Sequence, residues 1–165
     1  MGNGETASMR ELRIVDAAEL ANAYVRAGYA LMMDEDALHL RVGEHARDVE
    51  AYWPKERYGF ITAWNPASVP YSDTANETAD AMLTARLDAM RVQHLRAHAF
   101  ASDGSWCEAG WLVANMKEEL LDLLGREFRQ AGILAWEAGE PVRLRMLMPC
   151  PSDAPDNEWI DWVGA

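Results

Sequence analysis

The stretch Tyr58-Gly-Phe-Ile-Thr-Ala-Trp-Asn-Pro-Ala-Ser68 reads as a buried strand feeding a turn. An apolar run that stops at Asn65-Pro66, and is followed by a helix-start signal, has that grammar. Its polar residues, Thr62, Asn65 and Ser68, gather where the strand ends. Strand ends are a usual place for ligands in α/β sheets.

Downstream of this strand the pattern is regular. Thr74-Ala-Asn-Glu77 has the form of a capping box and predicts a helix with Ala79, Met82, Leu83, Leu87 and Met90 on one stripe. Residues 93–101 read as a strand, Ser102-Asp-Gly-Ser105 as a turn, and Trp106–Ala114 as a central strand, apolar on both faces. Asn115 is expected to cap a second helix carrying Leu120, Leu121, Leu124 and Phe128, with Gly132 ending it. Strands over 133–136 and 142–148 follow. Upstream, Asp16-Ala-Ala-Glu19 predicts a capped helix closed by Gly28. Alternating residues then predict a hairpin over 29–33 and 37–42, and a short helix spans 44–53 before Pro54. The order β-α-β-β-α-β implies a single α+β domain with a mixed or antiparallel sheet. Its core would be a split βαβ (ferredoxin-like) unit, extended by the amino-terminal helix and β-hairpin. The expected bounds are a disordered start at 1–15, the domain at 16–148, and a Pro-rich acidic tail at 149–165. Trp159 and Trp162 could pin one turn of that tail to the body.

A chain of 165 residues with seven tryptophans and half its residues apolar can fill a core. The net charge of −12, with Lys55 and Lys117 the only lysines, argues against nucleic acid as a partner. No apolar run reaches spanning length, so no membrane partner is expected. Met-Gly-Asn-Gly-Glu-Thr6 fits the loose myristoylation pattern but lacks the basic patch that stable anchoring needs. The sequon Asn76-Glu77-Thr78 has no signal peptide to bring it to the glycosylation machinery. Cys107 and Cys150 form neither a CxxC pair nor a metal spacing and read as reduced thiols. A cytoplasmic protein is the expectation.

Chemistry has few candidates. Asn76 falls on the stripe of Ala79, Leu83 and Leu87 in the first turn of its helix, and so points towards Asn65. With Thr62 and free helix N–H groups, the two amides could form a donor-rich site for a carboxylate, phosphate or polar ring. Alternatively, Asn65 and Asn76 simply tie the loop to the helix, as buried amides commonly do. Glu108, on a strand face with Trp106, Gly110 and Leu112, is the acid/base candidate. Its structural alternative is a place near the strand start, exposed or paired with an arginine such as Arg143 or Arg145. Gln130 could reach the same pocket or cap its helix. His94 and His98 on one strand would stand roughly 13 Å apart and suggest no metal. No nucleophile triad, phosphate loop or cofactor motif is visible, so no cofactor is expected.

Taken together, Phe60-Ile-Thr-Ala-Trp-Asn-Pro-x-Ser68, Asn76, Trp106-x-Glu108 and Leu124-Gly-Arg-x-Phe-x-Gln-x-x-Ile-Leu134 resemble the bacterial domain-of-unknown-function 3293 family. Ala23-Tyr24, Tyr29 and Leu40-Arg-Val-Gly43 fit its lead-in, so the similarity runs from about Leu20 to Met148. The resemblance carries no established activity. It implies that Thr62, Asn65, Ser68, Asn76, Trp106, Glu108 and Gln130 are the family's characteristic polar and aromatic positions. Two departures stand out. The family's Trp-Pro-Glu-Glu-Ser is here Trp106-Cys-Glu-Ala-Gly110, and its Phe-Gly-Gln-Asn is Phe128-Arg-Gln-Ala131. A carboxylate, a hydroxyl and an amide are missing, so this member could bind without turnover.

Two functional readings remain open. One is binding of a small polar or anionic metabolite, or a nucleotide, at the end of strand 58–64, with Glu108 as the catalytic group of any reaction. The other is a non-enzymatic protein-interaction or regulatory module whose protein partner is unknown. Whether the chain is an enzyme stays open.

Overall fold

A computed structural model describes residues 17–66 and 69–164. Ser68, the capping residue Asp16 and the amino-terminal stretch expected to be disordered lie outside the described residues. The elements in chain order are α1 (Ala17–Arg26), β1 (Gly28–Met32), β2 (Ala37–Leu40), α2 (Arg47–Tyr52), β3 (Arg57–Ile61) and α3 (Asp73–Ala89). Then come β4 (His94–Phe100), β5 (Cys107–Ala114), α4 (Glu118–Glu127), β6 (Gly132–Glu137), β7 (Arg143–Met146) and β8 (Ile160–Trp162). All eight strands join one mixed sheet in the order β2-β1-β4-β5-β3-β6-β7-β8. Every neighbouring pair is antiparallel except β7 and β8, which run parallel. The protein is thus an α+β domain built on one sheet.

β3 lies inside that sheet, with β5 on one side and β6 on the other. Alternation along a strand sends successive side chains to opposite faces. Tyr58 and Phe60 therefore enter one core, with Tyr29, Leu112, Leu134 and Leu144, while Ile61 enters a second with Val113 and Ile133. Ala21 of α1 and Val49 of α2 belong to the first core. Leu83 and Leu87 of α3 and Leu121 and Leu124 of α4 belong to the second. The stripe read on α3 is thus the buried one, except that Met82 points to solvent. On β3 and β5, Gly59 and Gly110 let neighbouring groups approach closely. A Cβ at Gly110 would lie 2.6 Å from the Phe60 ring and 2.8 Å from the Ile61 carbonyl oxygen.

Several boundaries differ from the sequence reading, each for a local reason. β3 leaves the ladder after Ile61, because Thr62 turns its hydroxyl back to the backbone instead of continuing the pairing. Ser72, not Thr74, is the N-cap of α3: its Oγ accepts from the Ala75 N–H at 3.1 Å, so the helix starts at Asp73. Asn115 does not cap α4. It sits in a left-handed conformation (φ 58°), and its Oδ1 accepts from the Glu56 and Arg57 N–H groups, tying the end of β5 to the start of β3. Lys117 occupies the N-cap of α4, with no side-chain cap bond. That helix ends at Glu127, the reversal falls on Arg129 (φ 56°), and Gly132 instead opens β6. Gly28 likewise opens β1, where the Phe100 ring lies over it.

The segment after Pro149 returns to the sheet. Ile160, Asp161 and Trp162 pair with Leu144, Arg145 and Met146, and Trp159 packs on the first core. The Arg143 guanidinium bridges both Asp161 carboxylate oxygens at 2.9 Å. No helix among the described residues is long and apolar enough to cross a membrane.

Candidate functional site

Because β5 and β6 run antiparallel to β3, their starts lie beside its end. This gathers Thr62 after β3, Trp106 and Glu108 at the start of β5, and Gln130 before β6, although they are far apart in the chain. With Tyr24 of α1 and Tyr29, Phe60, Ile133, Leu134 and Leu144, they line one pocket on the first-core side of the sheet. The cavity is narrow, about 30 Å³. A single water needs roughly 10–15 Å³ of such space, so there is room for about two small groups.

Asn65 and Asn76 stand behind this pocket rather than in its lining. Asn76 is buried, with 2% of its surface exposed. Its Oδ1 accepts from the Asn65 backbone N–H at 2.9 Å, and its Nδ2 donates to Asn65 Oδ1 at 2.9 Å and to the Tyr71 carbonyl at 3.4 Å. Asn65 Oδ1 also accepts from the Tyr71 N–H at 2.9 Å. These bonds hold Asn65 in the left-handed region (φ 44°), which Asn tolerates better than most residues. The amides therefore do the tying described above. They leave little of the donor-rich corner open to a ligand. One donor remains, and it is directed: Asn65 Nδ2 bonds Glu108 Oε1 at 3.0 Å.

Glu108 is the charged member of the lining. Arg143 and Arg145 are engaged elsewhere, with Asp161 and with Asp122 and Glu118 respectively. No salt bridge reaches Glu108 among the described residues. Burial without a cationic neighbour pushes its pKa up, and the Asn65 hydrogen bond offsets only part of that. Nearby, the Tyr29 hydroxyl donates to the Tyr24 carbonyl at 3.0 Å. Burial, with Tyr24 and Glu108 close by, keeps that hydroxyl neutral. Thr62 Oγ1 donates to the Ala109 carbonyl at 2.6 Å and accepts from the Trp64 N–H at 3.0 Å. Gln130 Nε2 donates to the carbonyls of Trp64 (3.2 Å) and Phe128 (3.3 Å). Two carbonyl partners fix the amide orientation, so its Oε1 is left for other donors.

The structure thus brings Thr62, Trp106, Glu108 and Gln130 together in the lining, places Asn65 and Asn76 as the support of Glu108, and does not describe Ser68. Sequence reasoning missed Tyr24 and Tyr29 as pocket residues. Helical spacing and strand alternation marked both as apolar positions, and nothing local shows that β1 and α1 fold over the end of β3. No group of three or more His, Cys, Asp or Glu among the described residues is placed to hold a metal. No curated protein and no solved structure matches the chain. Residues 61–133, the end of β3 through the start of β6, match the model of a family described as a protein of unknown function, DUF3293, and over that span the chain resembles that family.

Proposed function

We propose that the protein binds a small polar ligand in the pocket at the end of β3, and that Glu108 is the group through which any reaction would run. The observation carrying this reading is a carboxylate with a raised pKa, one oxygen fixed by Asn65 and no cationic partner among the described residues, set in a mostly apolar cleft. Such groups concentrate at functional sites because leaving a carboxylate there costs stability. A proton acceptor whose pKa has moved towards neutrality, held by an amide that is itself held by a second amide, has the equipment of a general acid/base. An anionic metabolite or a nucleotide fits this site less well than a neutral or cationic one, since Glu108 would face it with no Lys or Arg in the lining among the described residues. In the same spirit, the order β4-β5-β3-β6, with α3 and α4 in the two crossovers, supports reading this part as a split βαβ core.

A second reading has its own observation. Met82 of α3 and Leu123 of α4 are each 61% exposed, on helices bridged by the Arg86–Glu127 ion pair. Exposed apolar side chains on neighbouring helices suit a protein-interaction module. A thermal-shift panel of neutral, cationic and anionic metabolites separates the two. A bound ligand at a hundredfold excess over Kd adds about 2.7 kcal/mol to stability. The shift should vanish in Trp106→Ala. A flat panel, together with a partner captured by wild type but not by Met82→Glu or Leu123→Glu, would overturn the pocket reading.

A further inference from the structure

The hydrogen-bond inventory of the pocket is lopsided. The lining side chains whose bonds are defined have mostly spent their donors inward: Tyr29 on the Tyr24 carbonyl, Thr62 on the Ala109 carbonyl and Gln130 on two carbonyls. Asn65 spends its donor on Glu108 Oε1. Acceptors are what remain, namely Glu108 Oε2 and Gln130 Oε1, neither with a donor among the described residues. The Trp106 indole N–H, also without a partner there, is a single neutral donor and does not balance a carboxylate. Around these acceptors stand the rings of Tyr24, Tyr29, Phe60 and Trp106. Ring faces attract cations, and the attraction grows as water is excluded.

We propose that the ligand of this pocket is a small organic cation, an alkylammonium. Its N–H groups bond Glu108 Oε2 and Gln130 Oε1, and its first carbons lie against the aromatic walls. The inference rests on the pocket reading above and narrows it to a ligand class. An ammonium head supplies three donors and the positive charge that Glu108 lacks. The small cavity suits a head group of a few atoms, with any longer body leaving through the mouth. Binding favours ionised Glu108, so affinity should rise with pH through the range in which Glu108 loses its proton. It should stay high until the amine approaches its own pKa, about 10 for an alkylammonium such as that of Lys.

The test is an NMR titration of the full chain with propylammonium, 1-propanol and propionate, followed at the Trp106 indole and the Asn65 side-chain amide. Propylammonium should bind at least about tenfold more tightly than the isosteric alcohol, the worth of one charged hydrogen bond. Propionate should bind more weakly than either. Glu108→Gln should abolish both the preference and its pH dependence. Gln130→Leu, which keeps the carboxylate, should weaken propylammonium several-fold and leave the pH dependence in place. Equal binding of amine and alcohol, or tighter binding of propionate, overturns the cation assignment while leaving a working pocket. Absence of binding by all three compounds overturns the cation assignment as well. The broader thermal-shift panel then decides separately whether the pocket itself stands.

Discussion

At the scale of single residues, Glu108 and Asn76 make opposite demands on stability. Glu108 has a folded-state pKa above its ordinary value of 4.5. A raised carboxylate favours the fold fully below the unfolded pKa, and this contribution is lost as pH rises through the folded pKa. Wild type should therefore lose stability on going up from about pH 4.5, and Glu108→Gln should flatten that slope in urea melts across pH. A slope unchanged in the variant would assign it to other groups. Asn76→Leu should cost about 1–3 kcal/mol, since it strands the Asn65 N–H and adds apolar bulk to a full site. The same variant should disturb the Glu108 titration, because Asn65 loses its brace; carboxylate NMR reads this directly. The sequence placed Asn76 on the inward face and Glu108 beside Trp106 and Gly110. It could not decide whether Glu108 meets an arginine, because that depends on which strand ends the topology brings near it. Arg143 and Arg145 face Asp161 and Asp122 instead.

Elements are held by different means on the two sides of the sheet. α4 is fastened to β7 by Asp122, whose carboxylate takes two bonds from Arg145 at 2.8 and 2.7 Å. Both side chains are nearly enclosed, 12% of Arg145 and 7% of Asp122 remaining accessible. Asp122→Ala strands two N–H groups of a nearly buried guanidinium and leaves Arg145 only the half-exposed Glu118, 3.1 Å away, so it should destabilise the protein by about 1–3 kcal/mol. The double variant Asp122→Leu/Arg145→Met should recover most of that loss, because two apolar groups of similar size need no partner. Equilibrium denaturation of the three variants measures both. Helix and strand order were legible from periodicity, since the apolar stripes of α3 and α4 are regular. Helix ends were less so. Asn115 and Gly132 carry the usual cap chemistry, yet Asn115 is used to join two strands and Gly132 to let Tyr24 and Met146 pack closely. Local propensity cannot see either contact.

For the whole molecule, the segment after Pro149 completes an edge of the sheet rather than trailing from it. Removing residues 159–164 should uncover the surface on which Trp159, Ile160 and Trp162 pack and leave β7 paired only with β6, lowering stability by a few kcal/mol, each indole burying up to 150–250 Å². Hydrogen exchange should show lost protection first at Leu144 and Met146, which face β8, the Leu144 N–H donating to the Trp159 carbonyl. An unchanged melt would mean that β8 contributes only cover. The sheet order was partly legible, because β-α-β-β-α-β fixes few arrangements, but the parallel return of residues 160–162 has no turn or period to announce it.

The interior place of β3 has a consequence in time. Chains are made from the amino terminus, yet β3 pairs only with β5 and β6, and β1 finds its inner neighbour only in β4. A nascent chain halted after α3 holds Tyr58, Phe60 and Ile61 with no strand to join, and the hairpin β1–β2 with one edge open. Such waiting edges recruit other chains. The centre of this sheet is therefore the part in greatest need of a chaperone while it is being made, and mutations that slow synthesis between residues 62 and 107 should raise aggregation without altering the finished fold.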